Sequence, residues 1–131
     1  MYTYDDVEML VQDEHTELST RAWNEEYLHV HMQDKDDYYG MGMLLSKKHV
    51  ELLRDTLDVF LEGDYAKEDV EMLVQDEHTE LSTRAWNEKY LHVYMQNYDD
   101  YYGMCMLLSK EYAELLRDTL DVFLEGGYAD E

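Results

Sequence analysis

The chain has 131 residues, a formal net charge of −22, 45% apolar and 32% charged residues, and a single cysteine. That apolar share supports one compact core and argues against disorder, and no apolar run approaches the roughly 18 residues needed to span a bilayer. Charge of this sign and size repels phosphate backbones, so nucleic acid is not an expected partner.

The lone Cys105 excludes an internal disulfide and fits a reducing, cytoplasmic setting. Met1–Asp6 has neither the basic start nor the apolar stretch of a signal peptide. Proline is absent, which hints at a designed or heavily selected chain.

Asp6-Val7-Glu8-Met9-Leu10-Val11-Gln12 recurs as Asp69-Val70-Glu71-Met72-Leu73-Val74-Gln75. The same offset carries through to Ala66 with only nine differences: Glu26/Lys89, His31/Tyr94, Asp34/Asn97, Lys35/Tyr98, Gly42/Cys105, Lys48/Glu111, His49/Tyr112, Val50/Ala113 and Asp64/Gly127. Two copies cannot make a solenoid, which needs three or more units. The pattern reads as a homodimer fused into one monomeric chain, with repeat one at 1–66 and repeat two at 67–131.

Each copy parses alike. Val7–Gln12 predicts a strand with Val7, Met9 and Val11 on one face. After a turn at Asp13–His15, a second strand spans Thr16–Trp23, with Leu18, Thr20 and Ala22 opposite Ser19, Arg21 and Trp23. Asn24-Glu25 turns the chain again. Glu26–Gln33 is the clearest strand: Leu28, Val30 and Met32 point one way, and Tyr27, His29, His31 and Gln33 the other. A polar turn at Asp34–Asp37 leads to a fourth strand over Tyr38–Leu45. Ser46 then caps a helix over Lys47–Glu62 that Gly63 ends, and Lys110–Glu125 repeats it. Its stripe is Val50, Leu53, Leu57, Phe60 and Leu61, widened by Leu52 and Val59 where it meets its own sheet and the other copy. Glu51, Asp55, Asp58 and Glu62 form a solvated acidic face. The expected fold is α+β, a tandem ββββα repeat forming a single-chain pseudo-two-fold dimer.

Tyr27-Leu28-His29-Val30 and Arg54-Asp55-Thr56-Leu57-Asp58-Val59-Phe60-Leu61-Glu62, repeated through Arg117-Asp118 to Glu125, resemble the PUR repeat and the related Whirly and PC4-like single-stranded nucleic-acid-binding folds. The resemblance covers about half of each copy, mostly helix core, and implies this fold more than this function. Such repeats carry basic residues just before the third strand. Asn24-Glu25-Glu26 and Asn87-Glu88-Lys89 stand there instead, which implies that nucleic-acid binding is lost or replaced.

The face opposite the helix is expected to expose Arg21, Trp23, Tyr27, His29, His31 and Gln33, and in copy two Arg84, Trp86, Tyr90, His92, Tyr94 and Gln96. Tryptophan, tyrosine and arginine dominate binding hot spots. Such a face either buries itself at the seam between copies or binds something. His31/Tyr94 and Lys35/Tyr98 share its parity, and Gly42/Cys105 lies one strand away. These differences read as desymmetrisation of a fused dimer, by design or by selection, since tyrosine is the residue selected paratopes favour.

The expected function is a binding module, not an enzyme. Its site combines both copies: Trp23, Tyr27, His29, His31 and Lys35 with Trp86, Tyr90, Tyr94, Tyr98 and Cys105. An aromatic or cationic small molecule, or a protein epitope, suits rings in an acidic field. One alternative is an acidic nucleic-acid mimic occupying a protein partner. Another is a metal held by His29 and His31, with His49, Asp36 or Asp37 as third ligand. No catalytic constellation or cofactor motif stands out.

Overall fold

Single side chains close the turns. Asp13 Oδ1 accepts from the backbone N–H groups of His15 and Thr16 at 2.9 and 2.8 Å. Asn24 Oδ1 does the same for Glu26 and Tyr27 at 2.8 and 2.9 Å, and Asp34 Oδ1 accepts from Asp36 N at 2.9 Å. Such side-chain turns substitute for backbone turns and need no proline. The computed structural model describes residues 4–36 and 38–126.

The strands are β1 (Met9–Gln12), β2 (Thr16–Ala22), β3 (Tyr27–Asp34) and β4 (Gly40–Ser46), followed by α1 (Lys47–Glu62). Copy two repeats them as β5 (Met72–Gln75), β6 (Thr79–Ala85), β7 (Tyr90–Asn97), β8 (Tyr102–Ser109) and α2 (Lys110–Glu125). Each sheet is an antiparallel meander, β1-β2-β3-β4 and β5-β6-β7-β8, so the tandem α+β plan holds. Both helices span the residues the sequence assigns. Ser46 Oγ accepts from His49 N at 3.3 Å, and Gly63 closes α1 at φ 88°, where a side chain would be strained.

Three boundaries shift for local reasons. Val7 belongs to a short 3₁₀ turn, Tyr4–Val7, pinned to β2 by the Thr20 hydroxyl, which donates to Val7 O at 2.9 Å. Trp23 lies outside β2, because its N–H bonds Tyr27 O across the Asn24 turn. Tyr38 precedes β4 at φ 60° and is fully in solvent.

Alternate residues of every strand enter one core that includes both copies, from Val7 and Leu18 to Leu120 and Phe123. Each helix packs against the other, against its own sheet, and against the first strand of the other copy. The seam is reciprocal. Arg54 Nη1 donates to Asp121 at 2.8 Å, and Arg117 Nη1 donates to Asp58 at 3.1 Å. Lys47 Nζ donates to Phe123 O at 3.1 Å from 4.8 Å above that ring, and Lys110 does the same to Phe60 O. A lysine at a helix start opposes its own macrodipole. Here it completes the other helix's C-terminus, which has no basic residue in its last turn.

Two expectations are corrected. Asp58 is not simply solvated, since it anchors Arg117 of the other copy. Leu52 does not join the buried stripe and remains 44% exposed, while Thr56 turns inward and donates to Leu52 O at 2.8 Å.

Candidate functional site

With the helices covering the inner faces, the seam does not consume the outer faces, contrary to one expectation. The period of a strand sets side chains two residues apart nearly 7 Å from each other on one face. On copy one this produces a ladder of rings: Trp23 to His29 at 6.4 Å between centroids, and His29 to His31 at 6.0 Å, with planes 34° and 22° apart. Copy two has Trp86 to His92 at 6.0 Å and 24°, then His92 to Tyr94 at 6.4 Å and 13°. Both tryptophans stay more than half exposed, at 59% and 56%. Tyr27 and Tyr90 stand exposed at the start of their strands.

The rings recline on glycine. His31 pairs with Gly42 across β3 and β4, and a Cβ there would lie 2.5 Å from His29 Nε2. A Cβ on Gly40 would lie 2.8 Å from His31 Nε2. Glycine therefore makes room for both imidazoles. In copy two Gly103 gives the same room to Tyr94, whose hydroxyl donates to Gln96, but Cys105 fills the place of Gly42 with an exposed thiol. The faces differ physically at the centre as well as at the far end.

Lys35 and Tyr98 mark the far end of each face. Lys35 Nζ donates to Gln12 Oε1 at 3.3 Å. The Tyr98 hydroxyl donates to Glu80 Oε1 and lies 2.7 Å from Gln75 Oε1, and the bond to Glu80 pushes its pKa up to about 12. Burial, then His31, then Arg21 hold His29 below the ordinary imidazole value; burial and Arg84 act likewise on His92.

The predicted residues thus form two sets, one per sheet. Every ring pair and hydrogen bond found among them lies within one copy. Parity says which face is bare, not whether two bare faces meet. Copy one carries a shallow concavity of about 540 Å³ lined by Glu8, Leu10, Ser19, Arg21, His29 and His31. Copy two carries one of about 430 Å³ lined by Ser82, Arg84, His92, Tyr94 and Cys105. Arg21 and Arg84 were legible as face residues by their parity, but ring content alone did not bring them into the site.

The additional metal ligands do not converge. Asp36 accepts from His15 Nδ1 at 2.7 Å, and His49 lines a separate groove with Lys48, Leu52 and Leu73. Asp37 lies outside the described residues, and among those no three metal-ligating side chains form a group. Nor is any helix among them long and apolar enough to cross a membrane. The chain matches no protein-family model, and no curated protein matches it in sequence.

Proposed function

We propose that this chain is a desymmetrised binding module whose two outer sheet faces each take a flat ring-bearing ligand or an aromatic side chain of a protein. The observation that carries this reading is the ladder of half-buried rings on each face, tilted at Trp23 and stacked beyond it, headed by a solvent-facing tryptophan. Leaving an indole half in water forgoes part of a large hydrophobic gain, and rigid aromatic side chains lose little rotamer entropy on binding. The two faces diverge at His31/Tyr94, Lys35/Tyr98 and Gly42/Cys105, so the reading includes two ligand preferences in one chain.

Trp23 and Trp86 are the only tryptophans, and both sit on these faces, so intrinsic fluorescence reports binding directly. The test is titration with neutral, cationic and anionic naphthalene derivatives, repeated on the triple reversion Tyr94→His, Tyr98→Lys, Cys105→Gly. At least one probe should quench wild type, and the reversion should change the ranking of probes without loss of folding. Tyr112→His is left out, because the Tyr112 hydroxyl donates to Gln12 O across the seam and carries structural weight. Unaltered fluorescence with every probe at millimolar concentration would remove the proposal.

A further inference from the structure

Thirty-two acidic residues surround only ten lysines and arginines, so each cation has abundant partners. Arg54 and Arg117 each hold several carboxylates. Arg21 and Arg84 hold none among the described residues: no ion pair, hydrogen bond or ring contact engages either guanidinium. Arg21 is exposed on the bare face and faces His29 across the β2–β3 ladder. Ser19 faces His31 one step along.

Three nitrogen-rich groups, Arg21, His29 and His31, therefore share the 540 Å³ concavity. His29 feels both of the others as repulsion. The groups facing this pair can be named strand by strand. Glu8 stands just before β1; Glu17 and Arg21 lie on β2, and Tyr27 opens β3; the face of β4 presents only Gly40, Gly42 and Leu44. Glu8 is the single carboxylate in the concavity, and it does not reach Arg21 within ion-pair distance.

We infer that the outer face of copy one is a site for a small planar aromatic anion, such as an aryl carboxylate. Its anionic group would lie among Arg21, His29 and His31, and its ring on the Trp23 end of the ladder. This rests on the reading of the faces as ring-binding surfaces and names the ligand charge for one of them. Net charge points to a cation, but local charge decides for a small ligand. Exposed charges beyond roughly 8–10 Å are largely screened at physiological salt, whereas a carboxylate within hydrogen-bond reach of a guanidinium forms a bidentate pair. A polyanion spans the acidic rim as well and is repelled. His31 Nε2 lies 3.3 Å from Gln33 Oε1 much as the Tyr94 hydroxyl bonds Gln96, so the copies differ in the group itself: copy two keeps Arg84 and His92 but has a phenol, which carries no positive charge, where copy one has a second imidazole. The anion preference therefore belongs to copy one.

The test uses the full ¹⁵N-labelled chain, in which the two indole N–H signals separate the faces. Probes are 2-naphthoate, 2-naphthalenemethanol and 2-naphthylmethylammonium. Naphthoate should move the Trp23 signal and the His29 and His31 ring nitrogens ahead of Trp86. It should also bind more tightly near pH 5.5 than near pH 7.5, because a carboxylate beside His29 offsets the burial that holds this imidazole low and favours its charged form. Arg21→Gln should weaken it by about tenfold or more, the worth of a hydrogen bond to a charged group. His31→Tyr installs the residue copy two already accommodates, so it tests the same point in a variant that folds, and it should weaken naphthoate binding about tenfold. Equal or tighter binding of the alcohol or the ammonium at Trp23 overturns the anion inference while ring binding stands. Silence from all three probes at both indoles overturns both.

Discussion

Thr20 and Thr83 give a quantitative test of the claim that the copies are structurally equivalent. Each is 4% exposed, and each hydroxyl donates to the carbonyl that ends a 3₁₀ turn: Val7 O at 2.9 Å and Val70 O at 2.8 Å. Thr→Val removes the donor and leaves that carbonyl facing an apolar neighbour. Stranding a buried acceptor costs about 1–3 kcal/mol. The added methyl offsets up to about 0.8 kcal/mol through burial. The net expectation is a loss of about 1–2 kcal/mol for each variant, or roughly 3–8 °C in Tm for a chain of this size. The sites lie in different sheets with no shared partner, so the double variant should lose about 2–4 kcal/mol additively. Urea unfolding measures this, with unchanged m-values showing that neither end state altered. Losses below about 0.5 kcal/mol would mean these bonds do not secure the turns. A difference above about 1 kcal/mol between the two single variants would refute equivalence of the copies.

Tyr101 adopts φ 59° in full solvent, a conformation that costs a non-glycine residue about 1–2 kcal/mol. Asparagine tolerates it without glycine's entropy, so Tyr101→Asn should raise stability by about 0.5–1 kcal/mol in the same urea assay. His29 and His92 titrate below the ordinary imidazole value in the folded state, so as pH falls through about 6.5 the unfolded chain takes up protons first and stability drops. His29→Gln with His92→Gln should therefore flatten the loss of stability between about pH 7 and pH 5. His15 has the opposite sign: its bond to Asp36 raises its pKa, so its contribution is present below about pH 6.5 and fades as pH rises through the higher folded value. His15→Gln should accordingly reduce stability at pH 5.5 more than at pH 8. No single-stranded oligonucleotide should bind with submicromolar affinity at physiological salt, and fluorescence anisotropy with a labelled oligonucleotide measures that directly.

Much of this was readable from residues, and the reasons are local. Ser46 and Gly63 mark the helix ends because capping is chemistry between near neighbours, and alternation in β3 marks its two faces because a strand has period two. Trp23 was misplaced by one strand end because Asn24 captures two backbone N–H groups and closes the turn early. That each helix meets the other copy was readable from its widened stripe, but the polar partners across the seam were not. Lys47 and Lys110 look unfavourable at helix starts until the other helix's carbonyls are brought to them, a contact between residues 76 apart in sequence for Lys47 and Phe123.

Six of the nine differences between the copies sort by place. Asp34 and Asn97 each close the same turn, accepting from Asp36 N and Asp99 N at 2.9 Å, so that exchange alters charge but not geometry. Tyr112 reaches across the seam beside the small Ala113, where copy one has His49 beside the larger Val50, a paired change of volume in one packing environment. His31/Tyr94, Lys35/Tyr98 and Gly42/Cys105 alter an outer face without touching the shared core. A symmetric homodimer would present each of these residues twice. The fused chain holds an imidazole pair over glycine on one sheet and a phenol beside a thiol on the other, while the buried apolar residues of the two copies differ only at Val50/Ala113.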